Sequence, residues 1–535
     1  MNYPIWDVSF GAGLLIALVA GLHVFVSHFA VGGGLFLVLT EKKALKNNDH
    51  ALLNWLKSHT KFFVLLTVVY GAVSGVGIWF TIGLISPTAT SDLIHIFVWG
   101  WAIEWVFFFL EITAALLYLS GWDKLSPKLH QWYGWIYFWC AFASLVVING
   151  IITFMLTPGS WLDVHKFWIG FFNPTYFPSL FFRTAICIAL AGIYALITAS
   201  VQKDKDLKAR IVRWGALWTI PSLLALIPLG YWYIREVPAA LFLSARGPMP
   251  TATHYALLAW SLFAVTVVLM LLALFTPRRM HLVFALVIGL VALGAMDSFE
   301  FVREDVRKPF VIENYLYDNS IYAAAMPGDG GFTVDNINTN GILHSAAWIN
   351  QRTLTPDNQI AVGHEIFRVE CQACHTADSY RGIHQLIQKR QWDPATTRAM
   401  LSGLTLMHNG VMPPFAGTDP ERDALAAYLT SLQTVTPNPS TDGKVVFQNN
   451  CSMCHTDHPN EQFFSSLATD PQAAADSLKD LTSIFPLMPD IKLNQAQRNA
   501  LVQYINTQRP PAQHAQNQLD DHLSKHLTPA AEGGK

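Results

Sequence analysis

The chain has 535 residues, of which 52% are hydrophobic and only 13% charged, against roughly 25% charged in an ordinary soluble domain. Of its 72 Asp, Glu, Lys and Arg residues, 31 lie in residues 1–300 and 41 in the remaining 235. This excludes a uniformly soluble protein and points to a membrane domain followed by a polar one. A net charge of −2 carries no polyanion footprint, which argues against nucleic acid as a partner.

Crossing a bilayer takes roughly 20 apolar residues. Eight such stretches follow in chain order: Phe10–Leu39, Phe62–Ile85, Ile94–Leu119, Trp132–Leu156, Ser179–Ala199, Trp214–Ile234, Tyr255–Phe275 and Leu282–Phe301. The first is long for one crossing and is expected to tilt or project. It is not expected to be a cleavable secretory signal, since no basic segment precedes it and it exceeds a signal-peptide core. Loops 41–61, 121–130, 201–213 and 277–281 carry fourteen Lys and Arg residues, whereas the N-terminus and the alternate loops carry three. The basic side is therefore predicted to be cytoplasmic, with both termini and the polar C-terminal third outside.

That polar third holds four of the six cysteines, in Cys371-Gln-Ala-Cys374-His375 and Cys451-Ser-Met-Cys454-His455. In C-x-x-C-H two thiols can bind the haem vinyl groups while the adjacent His ligates iron. Paired C-x-x-C motifs also suit a four-cysteine zinc site, but the flanking pattern favours haem. Each motif follows a short amphipathic helix (His364–Phe367, Val445–Phe447) and precedes a Met-Pro segment and a final helix. This arrangement resembles class I cytochrome c twice, over about 340–434 and 437–508. The resemblance implies Met412 and Met488 as second axial ligands, with Met407 and His408 as weaker competitors for the first haem. Covalent haem attachment outside the cytoplasm agrees with the orientation read from the loops.

Ionisable residues inside spans mark sites by default. The set read as buried is His23, His28, Glu104, Glu111, Arg183 and Asp297, any of which can also be a hydrogen-bonded packing residue. The segments His23–Gly32, Gly71–Gly75, Ala102–Glu111, Gly121–Leu125, His130 and Ile148–Gly150 resemble subunit I of cytochrome bd quinol oxidases, in the family's order. Glu304-Asp-Val-Arg307-Lys-Pro309-Phe310 resembles the family's E-x-G-R-Q-P-W segment. The resemblance implies His23 as axial ligand of the oxygen-reactive haem and Glu304 as carboxylate ligand of the neighbouring high-spin haem. It implies Glu104 and Glu111 as acidic groups near the haems and on the proton route from the cytoplasm. Their seven-residue spacing, one shorter than the family's, still puts both on one helix face.

The departures also carry information. The family's low-spin haem needs a His on the fifth helix and a Met on the seventh, but this chain has Phe181-Phe182-Arg183-Thr184 and Leu258-Ala259-Trp260 there. The loop in which the family oxidises quinol spans only Arg235–His254. The low-spin haem is therefore expected to be missing or differently ligated, with His95 and His254 as remote replacements. His28 lies about 140° around the helix from His23 and does not pair with it; it serves a second haem or packs. Cys140 and Cys187 are read as inert buried thiols.

The expected fold is all-α: a polytopic membrane bundle of about eight helices followed by two cytochrome c-type α domains. Residues 1–317 form the bd subunit I-like domain and 318–339 a linker. Residues 340–434 and 435–508 form the cytochrome c domains, and 509–535 a disordered tail. The expected cofactors are two covalent haems c, one or more non-covalent haems of b or d type, and quinone. Expected partners are the lipid bilayer, a second membrane subunit, periplasmic electron-transfer proteins and the quinone pool. Three functions fit: oxygen reduction fed through the haems c, a quinol:cytochrome c oxidoreductase working in either direction, and a non-catalytic wiring subunit.

Overall fold

The computed structural model describes residues 5–238, 250–325, 330–433, 440–455, 467, 470–484 and 488–509. The expected tail beyond Arg509, and most of the loop between Arg235 and His254, lie outside the described residues.

Among the described residues, eight helices are long and apolar enough to cross a membrane, matching the number read from hydropathy: α1 (Ala12–Lys46), α2 (His50–Ile85), α3 (Val98–Gly121), α4 (Pro127–Leu156), α5 (Tyr176–Ser200), α6 (Lys205–Glu236), α7 (Ala252–Phe275) and α8 (Leu282–Asp305). Several run past their apolar cores. At 1.5 Å per residue the 35-residue α1 is about 52 Å long, well beyond a roughly 30 Å hydrocarbon layer. The extensions are amphipathic turns with polar caps. Asp49 accepts from the Leu52 amide at the start of α2, and Asp204 accepts from the Asp206 and Leu207 amides at the start of α6. Hydropathy registers only the apolar part of such a helix, whereas backbone hydrogen bonding continues to the cap.

The chain divides into two compact units, Met1–Ile383 with His408–Leu425, and His384–Met407 with Ala426–Lys535. The division runs through the segment that the sequence assigns to the first polar domain. In the first unit the bundle core is built from Phe29, Phe36, Leu56, Ala191, Leu196, Ile211, Met270 and Ile288. α1 and α5 approach closely because Gly32 has no side chain: a Cβ there would collide with the carbonyl oxygen of Cys187. Small residues allow such backbone approach where helices meet inside a membrane. Beyond α8 the chain forms a short antiparallel hairpin, β1 (Phe310–Ile312) and β2 (Leu316–Tyr317). Ile312, Leu316 and Tyr322 pack with Phe97, Phe154 and Trp161 in a second core at that end of the bundle. The Tyr322 hydroxyl donates to the Asp92 carboxylate at 2.9 and 3.0 Å.

The second unit is a small helical assembly. Its helices include Pro394–Ser402, Gly443–Asn450, Pro471–Ser477 and Gln495–Gln508. Phe447, Leu501 and Ile505 are fully buried in it, and Trp392 Nε1 donates to the Asn449 carbonyl at 3.1 Å. The last helix starts on a capping box formed by Asn494 and Gln497.

Two predictions follow from this packing. Gly32→Ala drives α1 and α5 apart and is expected to cost about 1–3 kcal/mol of stability, as overpacking does; thermal unfolding in detergent measures it. Burial raises the Asp92 carboxyl to about 6, whereas the unfolded chain titrates near 4. The folded form then holds the extra proton, so stability falls as pH rises from about 4 to about 6. Asp92→Asn is expected to flatten that part of the profile, and identical slopes in both proteins would remove Asp92 as its source.

Candidate functional site

α3 and α4 run antiparallel, and each carries polar groups every seven residues: Glu104, Glu111 and Tyr118 on one, His130, Tyr137 and Ser144 on the other. Seven residues rise about 10.5 Å, so the groups meet as three successive rungs. Ser144 Oγ donates to Glu104 at 2.8 Å, and the Tyr137 hydroxyl lies 3.0 Å from Glu111 Oε1 and 3.1 Å from the Ala30 carbonyl. In the third rung the Tyr118 and His130 rings stack at 4.1 Å, and His130 Nε2 lies 2.8 Å from the Tyr118 carbonyl. Glu41, from the end of α1, completes it. One of its oxygens accepts from the Tyr118 hydroxyl at 2.8 Å and the other lies 2.8 Å from His130 Nδ1. Both ring nitrogens of His130 thus face oxygen atoms that can accept. Sequence reading missed Glu41 and Tyr137, because Glu41 heads a Lys-rich segment and Tyr137 lies in an aromatic run. The shared heptad spacing on α3 and α4 was the signal available.

His23 is positioned by α2. A π-helical segment, Leu65–Tyr70, interrupts α2 just before Gly71-Ala-Val-Ser74-Gly75; such segments recur at functional sites. Ser74 Oγ lies 3.0 Å from His23 Nδ1 and donates its own hydrogen to the Tyr70 carbonyl at 2.7 Å. The hydroxyl oxygen is thereby left to accept from Nδ1–H, so Nε2 carries the free lone pair that a metal needs. Gly75 makes room for the ring, since a Cβ there would sit 3.2 Å from His23 Cε1. His23 thus fits an axial haem ligand. His28 does not: its Nδ1 is 2.8 Å from the Val24 carbonyl, and its Nε2 faces Arg183 Nη1 at 3.4 Å.

Arg183 begins a chain of alternating charges. Its Nη2 pairs with Glu300 at 2.9 Å, Glu300 with Arg303 at 2.8 Å, Arg303 with Glu304 at 2.9 Å, and Glu304 with Arg307. Arg183, Arg303 and Arg307 are all buried. The fifth-helix position from which the resemblance expects a His therefore holds an ion pair. Both oxygens of Glu304 are committed to guanidinium groups, so it can offer one to iron only by giving up an arginine. Glu300 was absent from the sequence candidates, since it falls at the polar end of the last apolar stretch.

Both C-x-x-C-H motifs form a single helical turn continuing from a preceding helix. After α9 (Gln359–Glu370) the Cys371 amide donates to the Phe367 carbonyl at 2.9 Å and the His375 amide to the Cys371 carbonyl at 2.9 Å. After α10 (Gly443–Asn450) the Cys451 amide donates to Phe447 at 2.8 Å and the His455 amide to Cys451 at 2.9 Å. The turn brings both thiols and the imidazole of each motif to one side. Burial raises all four thiols, Cys451 to about 12, and lowers His455, favouring the neutral imidazole that ligates metal. His375 Nδ1 lies 3.1 Å from the Arg381 carbonyl. The donor sets fit haem c. Met412 is half-buried in the same compact unit as His375, whereas Met407 is buried in the other; Met488 is half-buried in the unit that holds His455. The His408 side chain lies outside the described residues.

Residues 12–240 match the family described as cytochrome bd terminal oxidase subunit I. Residues 358–429 and 438–505 match the family described as cytochrome C oxidase, cbb3-type, subunit III. No curated protein sequence matches. Among solved structures, a chain of the bd oxidase from Geobacillus thermodenitrificans is similar at 14% identity, over 55% of this chain and 85% of that chain, with a TM-score of 0.49. The chain thus joins a region similar to cytochrome bd oxidase subunit I to two regions similar to the cbb3-type cytochrome c subunit. It is a multi-pass membrane protein and a respiratory oxidase-like oxidoreductase, with haem cofactors and electron-transfer partners.

Glu41→Ala leaves His130 Nδ1 and the Tyr118 hydroxyl buried without their acceptor. It is expected to destabilise the protein by roughly 3 kcal/mol, with Glu41→Gln costing less; thermal unfolding in detergent ranks the two.

Proposed function

We propose that this protein reduces oxygen at a membrane haem held by His23, using electrons received from a donor through two haems c. Haem supplies one-electron transfer and, where a coordination position is open, oxygen binding and reduction. Cys371, Cys374 and His375, with Met412, hold the first haem c; Cys451, Cys454 and His455, with Met488, hold the second. Ser74 keeps the His23 ring oriented. Arg303 and Arg307 keep Glu304 charged and in place, and Glu304 is proposed as carboxylate ligand only with one of those pairs opened.

The observation that carries the reading is the three-rung seam between α3 and α4. Oxygen reduction consumes protons, and the His130–Glu41 pair, Glu111 with Tyr137, and Glu104 with Ser144 offer proton-holding groups at two-turn intervals through an apolar bundle. The seam starts at the Lys- and Arg-rich end, which the loop charges make cytoplasmic. The polar C-terminal region then lies on the opposite, periplasmic side of a bacterial inner membrane. A subunit that only passed electrons from haem to haem would take up no protons and have no use for such a seam.

A second reading, quinol:cytochrome c oxidoreduction, draws on Arg183 Nε and the Tyr233 hydroxyl, both buried without a hydrogen-bond partner among the described residues. These are donors that a quinone carbonyl could occupy.

Reduced-minus-oxidised spectra with haem extraction count the haems, and carbon monoxide reports an open iron. Two covalent haems c and a carbon monoxide-reactive membrane haem are expected. Inert, six-coordinate iron throughout, with quinol-driven reduction of the haems c, favours the second reading. His23→Ala is expected to remove a membrane haem and retain both haems c; unchanged haem content sinks the ligand assignment.

A further inference from the structure

The first C-x-x-C-H loop is tied to the membrane bundle through one residue that also touches its histidine. Arg381 lies six residues beyond His375 and holds a left-handed φ of 54°, a conformation unfavourable for a residue with a Cβ and maintained only where surroundings impose it. In that conformation its carbonyl faces His375 Nδ1 at 3.1 Å. Its guanidinium extends the other way, and Nη2 pairs at 3.4 Å with Asp305, the last residue of α8. Asp305 is almost fully buried, with a side-chain exposure of 3%, so the pair is anchored at a rigid helix terminus and screened from solvent. Neighbouring contacts brace the same loop. Gln372 Nε2 donates to Asp7 at 2.9 Å, and Thr376 and Tyr380 pack against Gly11 at the start of α1.

We propose that Arg381 is a positioning residue through which α8 orients the axial histidine of the first haem c. The inference rests on reading Cys371–His375 as a haem c site. A carbonyl accepting from Nδ1–H fixes the ring plane and makes Nε2 a stronger donor, which stabilises ferric over ferrous iron. The ion pair to Asp305 keeps that carbonyl where the left-handed backbone places it. The first haem c is in this way held by the helix that carries Glu300 and Glu304, and the tuning of its iron depends on a membrane-domain carboxylate outside its own motif.

The test uses full-length holoprotein carrying Asp305→Asn together with Arg381→Gln. The double variant removes the ion pair without changing net charge, so a purely electrostatic effect largely cancels. In a spectroelectrochemical titration the first haem c is expected to shift to higher potential while the second stays unchanged. An unshifted first haem overturns the inference. Asp305→Ala supplies a second measurement that does not depend on haem. Hydrogen exchange across residues 375–382 is expected to quicken if Asp305 holds the loop, and unchanged exchange overturns the inference even if the variants lose haem. Absence of covalent haem from the wild-type protein would instead refute the haem c reading, which the extraction assay shows separately.

Discussion

A charge inside an apolar bundle persists only where a partner replaces the water it has lost, since the effective penalty for an isolated buried ion is several kcal/mol. Arg183 meets this requirement in the first third of α5, between His28 on α1 and Glu300 on α8. Three helices distant in sequence are thereby tied at one point. The consequence spreads along α8, where Glu300, Arg303, Glu304 and Arg307 alternate in sign and neutralise one another in turn. Removing Glu300 would leave Arg183 without its carboxylate, and removing Glu304 would do the same to Arg307, so the two glutamates act as register pins for this part of the bundle.

The same requirement shapes the other half of the bundle with partners that are mainly hydroxyl groups. Glu104 and Glu111 are held by hydroxyls from Ser144 and Tyr137, whereas Glu41 is held by Tyr118 and His130. Hydroxyl partners satisfy a carboxyl in either protonation state, whereas a guanidinium favours the ionised form alone. The α3–α4 seam is therefore suited to holding and releasing protons, and the α5–α8 cluster to holding fixed charge. This division of labour separates two groups of buried carboxylates that look alike in sequence.

It also separates the two histidines of α1. His23 keeps Nε2 available because Ser74 has already given its hydrogen to Tyr70, whereas His28 has both nitrogens engaged. Arg183 lies in the Phe181–Thr184 segment of the fifth helix, which lacks the family's His, and it uses His28 as a partner. The departure from the family pattern and the second histidine of α1 thus have one physical explanation. In the polar region, the His375 loop answers to the same logic: Asp305 at the end of α8 is matched by Arg381, whose backbone meets the imidazole.

The eight spans, the asymmetry of Lys and Arg between alternate loops, and the two C-x-x-C-H motifs were legible in the sequence. Each is a local property, set by the length of an apolar run, the composition of a short loop or the spacing of five residues. The helical extensions past the apolar cores were not legible, because capping by Asp49 and Asp204 continues a helix that hydropathy no longer marks. Nor were the partners of the buried charges. Arg183 and Glu300 are 117 positions apart, His130 and Glu41 89, and Arg381 and Asp305 76, and no local pattern couples them. The sequence alone determined which stretches are apolar enough to cross a membrane and which residues stand in C-x-x-C-H spacing. Only the tertiary structure decided which imidazole nitrogen stays free and which carboxylate is already neutralised, because both depend on the hydrogen bonds and charges that distant helices bring within about 3 Å.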